Sequence, residues 1–239
     1  MKNTRLPIVN LLILISYFTF ISCSKDDDAS VDEQPVDAQI SSLDGQIQFL
    51  EIPPASLELD ELVSDTLIFI FAEKRNHTLT QNIETDLSVP GDYFPDSVPD
   101  DQQTWEALIP GTIYSGTKVH SYYLHYDNKT YNDTFNLSNY LNCIGQYQVN
   151  AEIRFKSPVL GIVMRAGLGS EDHLGNSNQE LGVSTVDYCD DNLSHFPGIN
   201  IADGCQSDRF ILSEDRMTLT VKNNSDIHHD NYRVILAAD

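Results

Sequence analysis

Imidazole, carboxylate, thiol and indole groups are the parts of this chain able to do chemistry or grip a ligand, and their spacing limits what that chemistry could be. His120 and His125 stand five residues apart; in a strand this puts them on opposite faces, so they cannot share a metal and their expected role is structural. His228, His229 and Asp230 resemble a ligand cluster, yet neighbours in a strand point apart and "NNSDIHHDNY" has the polarity of an exposed turn. A metal needs ligands that converge. Asp127, Asn128, Asn132 and Asp133 in one loop, and Asp187, Asp190, Asp191 and Asn192 in another, offer the hard oxygens that calcium prefers. Neither set has the EF-hand spacing or its closing Glu, and Asp and Asn stabilise turns without any ion. The expectation is a chain with no metal and no cofactor. There is no H-E-x-x-H and no G-x-S-x-G. A glycosidase would need two carboxylates flanking a sugar bond, and among 36 acidic residues any pair could be nominated, so no catalytic residue is assigned.

The aromatic residues are better candidates for binding than for catalysis. Trp105, the single tryptophan, lies in the polar stretch "DDQQTWEAL", and Tyr114, Tyr122, Tyr123, Tyr126, Tyr131 and Tyr140 follow it. Rings with an apolar body and a polar tip suit sugar recognition; the competing use of half or more of them is to fill the core. Trp105, set among Asp and Gln where a core residue is unexpected, is the ligand-binding candidate.

Of the four cysteines, Cys189 and Cys205 bracket "CDDNLSHFPGINIADGC", a loop-like stretch rich in Asp, Asn, Gly and Pro. Their separation is too wide for the paired ligands of a structural zinc site. A disulfide between them is the favoured pairing, worth about 3 kcal/mol for a loop of roughly 15 residues in the chain-entropy model. Cys143 is left over, and sequence alone leaves it open as a partner of either.

The elements that must position these groups are strands. Val149, Ala151, Ile153 and Phe155 alternate with polar residues, as do Met217, Leu219 and Val221, and a period of two marks strands with one wet face. Thr66 to Ala72 and Val159 to Met164 are apolar on both faces, which predicts central strands. Lys156-Ser157-Pro158 is a turn between strands. Further strands are predicted at Thr78 to Val89, Lys118 to Tyr126, Arg209 to Leu212 and Asn231 to Leu236, and no stretch has a convincing amphipathic helical pattern. The fold class is all-β, a two-sheet antiparallel β-sandwich, with the jelly roll as one form of it.

The fourth cysteine, Cys23, has a different setting. Lys2 and Arg5 precede an apolar run from Leu6 to Ile21, and small Ser22 stands before Cys23, the pattern of a secretory signal with a cleavage site. The run is shorter than the roughly 18 to 20 apolar residues of a membrane span, and it is interrupted. Phe20-Ile21-Ser22-Cys23 resembles a bacterial lipobox, with Phe20 in place of the usual Leu, and this resemblance implies acylation at Cys23. Ser24 to Asp28, "SKDDD", resembles the charged export tags of Bacteroidota surface lipoproteins, which implies lipid anchoring on the outer face of the outer membrane. From Ser24 to about Asp44 the composition is that of a tether unable to bury enough surface to fold, spanning about 25 Å as a flexible coil. The organisation read from sequence is a signal peptide at 1–22, a lipidated Cys and acidic tether at 23–44, and one domain at 45–239 of about 195 residues, enough for a well-buried core.

The formal net charge is -22, which argues against nucleic acid and against lying flat on anionic lipid. "SDTLIFIFAEKRNHTLTQNIETDLSVPGDY", "LIPGTIYSGTKVHSYYLHYD", "AEIRFKSPVLGIVM", "LSEDRMTLTV" and "NYRVIL" together resemble the blocks of a bacterial secreted domain often found with PEP-CTERM sorting tags, over about Ser64 to Leu236. This chain departs from that family in lacking the C-terminal apolar helix and Arg cluster of the tag and in carrying extra residues around Cys189 to Cys205. The resemblance implies work outside the cell and brings no activity with it. The expected function is a surface lipoprotein that acts as a non-catalytic binding or cell-envelope interaction module for a glycan or protein ligand. The alternative is an extracellular polysaccharide hydrolase. Oligomeric state is not legible.

Overall fold

The computed structural model describes residues 37–58, 61–93, 108–128, 148–165, 172–188, 208–224 and 230–239. Among them the strands run β1 (Ile40–Gly45), β2 (Ile47–Leu50), β3 (Ile68–Thr78), β4 (Ile83–Thr85), β5 (Gly91–Tyr93), β6 (Gly111–Ile113), β7 (Lys118–Tyr126), β8 (Gln148–Phe155) and β9 (Val159–Val163). Helix α1 (His173–Leu181) follows, then β10 (Arg209–Leu212), β11 (Thr218–Asn224) and β12 (Asp230–Ala237). The fold is all-β, a sandwich of two five-stranded sheets. One has the order β1-β8-β11-β10-β5 and the other β2-β3-β7-β12-β9. All neighbours are antiparallel except β2 and β3.

Period-two patterning decides which face goes where. In β8, Val149, Ala151, Ile153 and Phe155 are buried while Asn150, Glu152 and Arg154 are exposed, so the first sheet has one wet face. Its other face meets Ile68 and Ile70 of β3, Tyr122, Leu124 and Tyr126 of β7, and Tyr232, Val234 and Leu236 of β12 in the main core. Each such aliphatic or aromatic side chain taken from water contributes about 1.5 to 3 kcal/mol. The second sheet is covered on both faces. Behind it Phe71, Tyr123, Val163 and Ile235 pack against Leu174 and Leu181 of α1, Ile83 and Ile113 of the two-stranded β4–β6 ribbon, and Leu57, Val186 and Tyr188. This third layer, helix plus ribbon, is where the chain departs from a bare sandwich.

The structure differs from the sequence-based expectation in four places. Ile40–Gly45 is a strand paired with β8, so 37–44 belongs to the folded domain and not to the tether. Ile40 enters the main core, and acidic Asp37 is buried because it has partners. Its carboxylate accepts from the Gln39 N–H at 2.9 Å, from the Arg75 guanidinium and from the Tyr122 hydroxyl. The apolar stretch expected to form a central strand at Val159 to Met164 is the last strand of its sheet. It is buried because residues 86 and 87 close its edge: the Asp86 N–H donates to Ile162 O at 2.9 Å and the Ile162 N–H to Leu87 O at 2.8 Å. The expected strand from Thr78 to Val89 is cut to Ile83–Thr85, since Thr80 and Asp86 turn to other partners. Helix α1, absent from the expectation altogether, is the fourth difference and the one that bears on function.

Two backbone positions fix how the layers meet. Gly45 joins β1 to β2 with φ +83°, a left-handed conformation that favours glycine, and a Cβ there would lie 2.5 Å from Asn150 O. In β3 the register slips twice, between Ala72 and Lys74 and between Lys74 and His77, and Asn76 takes φ +50°. The bulged strand sends Glu73 toward Arg233 of β12, Arg75 toward Tyr122 and His77 toward Glu180 of α1.

Candidate binding cleft

The β4–β6 ribbon presents one apolar and one polar face. Ile83 pairs with Ile113 and both point down into the layer below; Glu84 pairs with Thr112, whose hydroxyl donates to Glu84 Oε2 at 2.9 Å. Alongside β4 runs α1. Asp172 caps it by accepting the Gly175 N–H at 2.9 Å, and the Gly182 N–H closes the other end on Asn178 O. Leu174 and Leu181 anchor the helix to the core. Ser177 and Asn178, which a hydrophobic pattern would want apolar, instead accept hydrogen bonds from Arg233.

Arg233 and Glu73, wholly buried, form the floor beneath the helix. Arg233 Nε lies 2.6 Å from Glu73 Oε2 and Nη2 lies 2.7 Å from Oε1, a bidentate pair. Tyr188 and Ser121 hydroxyls donate to the same carboxylate at 2.7 and 2.6 Å, and the Tyr123 and Tyr188 rings lie 5.2 and 5.8 Å from the guanidinium carbon. Burial by itself would lower the Arg233 pKa, but the Glu73 carboxylate overrides it and the net shift is upward.

Two further buried carboxylates clamp the helix at its ends. Asp86 accepts the Met164 and Arg165 N–H groups at 2.8 and 2.9 Å and lies 2.7 Å from His173 Nδ1 at the first turn. Glu180, in the last turn, accepts the Thr80 N–H at 2.8 Å and the Thr80 hydroxyl at 2.6 Å, and lies 2.7 Å from His77 Nε2. Burial pushes the Glu180 carboxyl up, while the Thr80 and His77 hydrogen bonds hold it, on balance, below the ordinary glutamate range.

Between these clamps lies a cleft of about 270 Å³, walled on the strand side by Gln81 to Glu84 and on the helix side by His173, Asn176, Ser177 and Gln179. Carboxamides, a carboxylate and an imidazole are suited to hydroxyls and peptide groups, since each offers directional hydrogen bonds. Tyr114, 68 % exposed, lies one position past the Ile83–Ile113 pair, and the next residue, Ser115, donates its N–H to Asn82 Oδ1 at 3.0 Å.

Few of the residues expected to be functional meet here. Cys23, Cys143, Cys189, Cys205, Trp105, Tyr131, Tyr140, His228 and His229 lie outside the described residues, as do Asn132, Asp133, Asp190, Asp191 and Asn192. Tyr122, Tyr123 and Tyr126 are core residues, at most 1 % exposed, which leaves Tyr114 as the exposed member of the described part of the tyrosine cluster. His120 and His125 sit at separate positions on β7: His120 Nδ1 receives the Asn76 N–H at 3.4 Å, and His125 lies 2.7 Å from Asn231 Oδ1 and 2.9 Å from Leu62 O. Burial lowers the pKa of both. Asp127, Asn128 and Asp230 are buried, and no group of three or more His, Cys, Asp or Glu side chains among the described residues could hold a metal ion. Sequence reasoning missed the cleft because it missed α1; the one available signal was Asp172 three residues before Gly175, the spacing of an N-cap and the N–H it receives. No family model matches the chain, and neither a curated protein nor a solved structure matches it.

Proposed function

We propose that this chain is a surface lipoprotein, anchored through an acylated Cys23, whose β-sandwich is a non-catalytic binding module with its contact site at the cleft between β4 and α1. The observation that carries the proposal is the double clamp. Asp86 and Glu180 hold helix and ribbon at both ends of the cleft, so the polar groups lining it are oriented before a ligand arrives and little ordering cost falls on binding. Glu84 is the one carboxylate among the described residues lining the cleft, whereas glycoside hydrolysis uses two; binding therefore fits this site better than hydrolysis.

Two experiments test this. Gln179 is an exposed helix residue on the cleft wall, so Gln179→Trp fills the cleft while leaving the fold nearly untouched. The wild-type domain is expected to co-sediment saturably with isolated cell envelopes and the variant to lose that binding, with no release of reducing sugar in either case. Equal binding by the two proteins would remove the cleft from the function, and steady sugar release would mark a hydrolase. Cys23→Ala is expected to move the full chain out of the membrane fraction; persistence there with a lipid mass attached would refute the anchor.

A further inference from the structure

The polar cleft has an aromatic ring at its margin, and we infer that together they take a neutral glycan, with Tyr114 as the surface on which a sugar ring lies. This rests on the cleft being the binding site and names the ligand class. Tyr114 follows Ile113, whose side chain packs into the layer below, so alternation along the ribbon turns Tyr114 outward, on the side of Thr112 and Glu84. It is 68 % exposed. The backbone beneath the ring is held at three successive residues. The Thr117 N–H donates to Tyr114 O at 3.1 Å across a tight turn in which Gly116 takes φ +87°, as type II turns require of their third residue. The Gly116 N–H donates to Leu79 O at 2.8 Å and the Ser115 N–H to Asn82 Oδ1 at 3.0 Å. Asn82 is itself part of the cleft wall, so the ring stands beside the polar groups on a backbone already ordered. A ring with an apolar body, a polar tip and only two side-chain torsions stacks on the apolar face of a sugar at small entropic cost.

The lining selects among ligands. Gln81, Asn82, Glu84 and Gln179 are exposed on the two walls, and their carboxamides and carboxylate offer the donors and acceptors that hydroxyls need. Ile83 is the one apolar side chain among the described lining residues, and it is buried, so an apolar peptide anchor finds no pocket here. Neither Lys nor Arg is among those lining residues, while Glu84 is, and the chain carries a net -22; uronate and sulfated sugars are therefore repelled. At about 270 Å³ the cleft lies just under the usual range of ligand cavities, roughly 300 to 1,000 Å³. That size suits one end of a glycan, with its next ring over Tyr114.

The probe is a pair of cell-envelope preparations, one untreated and one oxidised with periodate, which cleaves the vicinal diols of sugars, and then reduced with borohydride. The wild-type domain is expected to bind the first saturably and to lose the second, and polygalacturonate is expected not to displace it. Tyr114→Ala should weaken binding at least about tenfold with an unchanged midpoint of thermal unfolding, since the side chain is exposed. Tyr114→Phe, which keeps the ring, should bind as wild type does. Binding that survives periodate overturns the glycan inference and leaves the binding-module reading standing. Full binding by Tyr114→Ala removes the ring from the site, and displacement by polygalacturonate refutes a neutral ligand. If Gln179→Trp binds untreated envelopes as well as wild type, both readings fail together.

Discussion

Arg233 and Glu73 illustrate how a single residue can conceal the architecture from a reader of the sequence. A guanidinium with no exposed surface is costly unless every donor is met, and here Glu73, Ser177, Asn178 and the Leu174 carbonyl meet them. Removing one member strands the other. Arg233→Met alone is expected to cost about 3 to 5 kcal/mol in urea unfolding, and Glu73→Leu with Arg233→Met less than the sum of the two single changes, because the penalty of each is mostly the partner left behind. A double change as harmful as that sum would mean the pair is not coupled. Histidines set the acid limit. His120 and His125 have folded pKa values below 6.5, chiefly through burial, so the unfolded chain binds more protons than the folded one as pH drops through 6.5. Their contribution to stability is complete above that value and is lost below it. Stability should fall between pH 7 and 5, and His125→Gln should flatten that slope; an unchanged slope would show His125 to be charged in the fold. Glu180 follows at lower pH. Its pKa is depressed below 4.5, so its clamp on Thr80 is kept above that pH and released on further acidification.

At the scale of elements, the sheets were legible and the third layer was not. β7 and β10 match the expected Lys118 to Tyr126 and Arg209 to Leu212 residue for residue, because their alternation and flanking turns depend on local chain geometry. Helix α1 has the sequence HLGNSNQEL, with one Gly, two Asn and one Ser, all poor helix formers. Its inward face is Leu174, Ser177 and Leu181, and the polar member answers a buried Arg233 that no local pattern announces. The cleft was illegible for the same reason, since half its wall is that helix. The edge position of β9 was hidden too: a strand buried on both faces reads as central whether its cover is another strand or, as here, the loop at 86–87. That cover leaves little space. A Cβ on Gly161 would lie 2.5 Å from Thr85 Cγ2, so Gly161→Ala is expected to push β4 off β9 and cost about 1 to 3 kcal/mol in thermal or urea unfolding, with a parallel loss of cleft binding. Unaltered stability would mean that the ribbon yields freely.

For the whole molecule, the point of entry matters as much as the core. The described part of the domain begins at Asp37, whose carboxylate is shared by Arg75 of β3 and Tyr122 of β7, while β1 a few residues on pairs with β8 in the opposite sheet. Asp37→Ala should leave Tyr122 and Arg75 without their acceptor, speed proteolysis of 37–45 and lower the midpoint of unfolding; equal protease resistance would show that β1 holds on by its ladder alone. The consequence is mechanical. A force that reaches Asp37 from the chain ahead of it does not begin by peeling β1 from β8 one bond after another, because the first grip it meets among the described residues belongs to the other sheet. The load is shared across both sheets at once, so the N-terminal strand yields only when Asp37 and the β1–β8 ladder give way together.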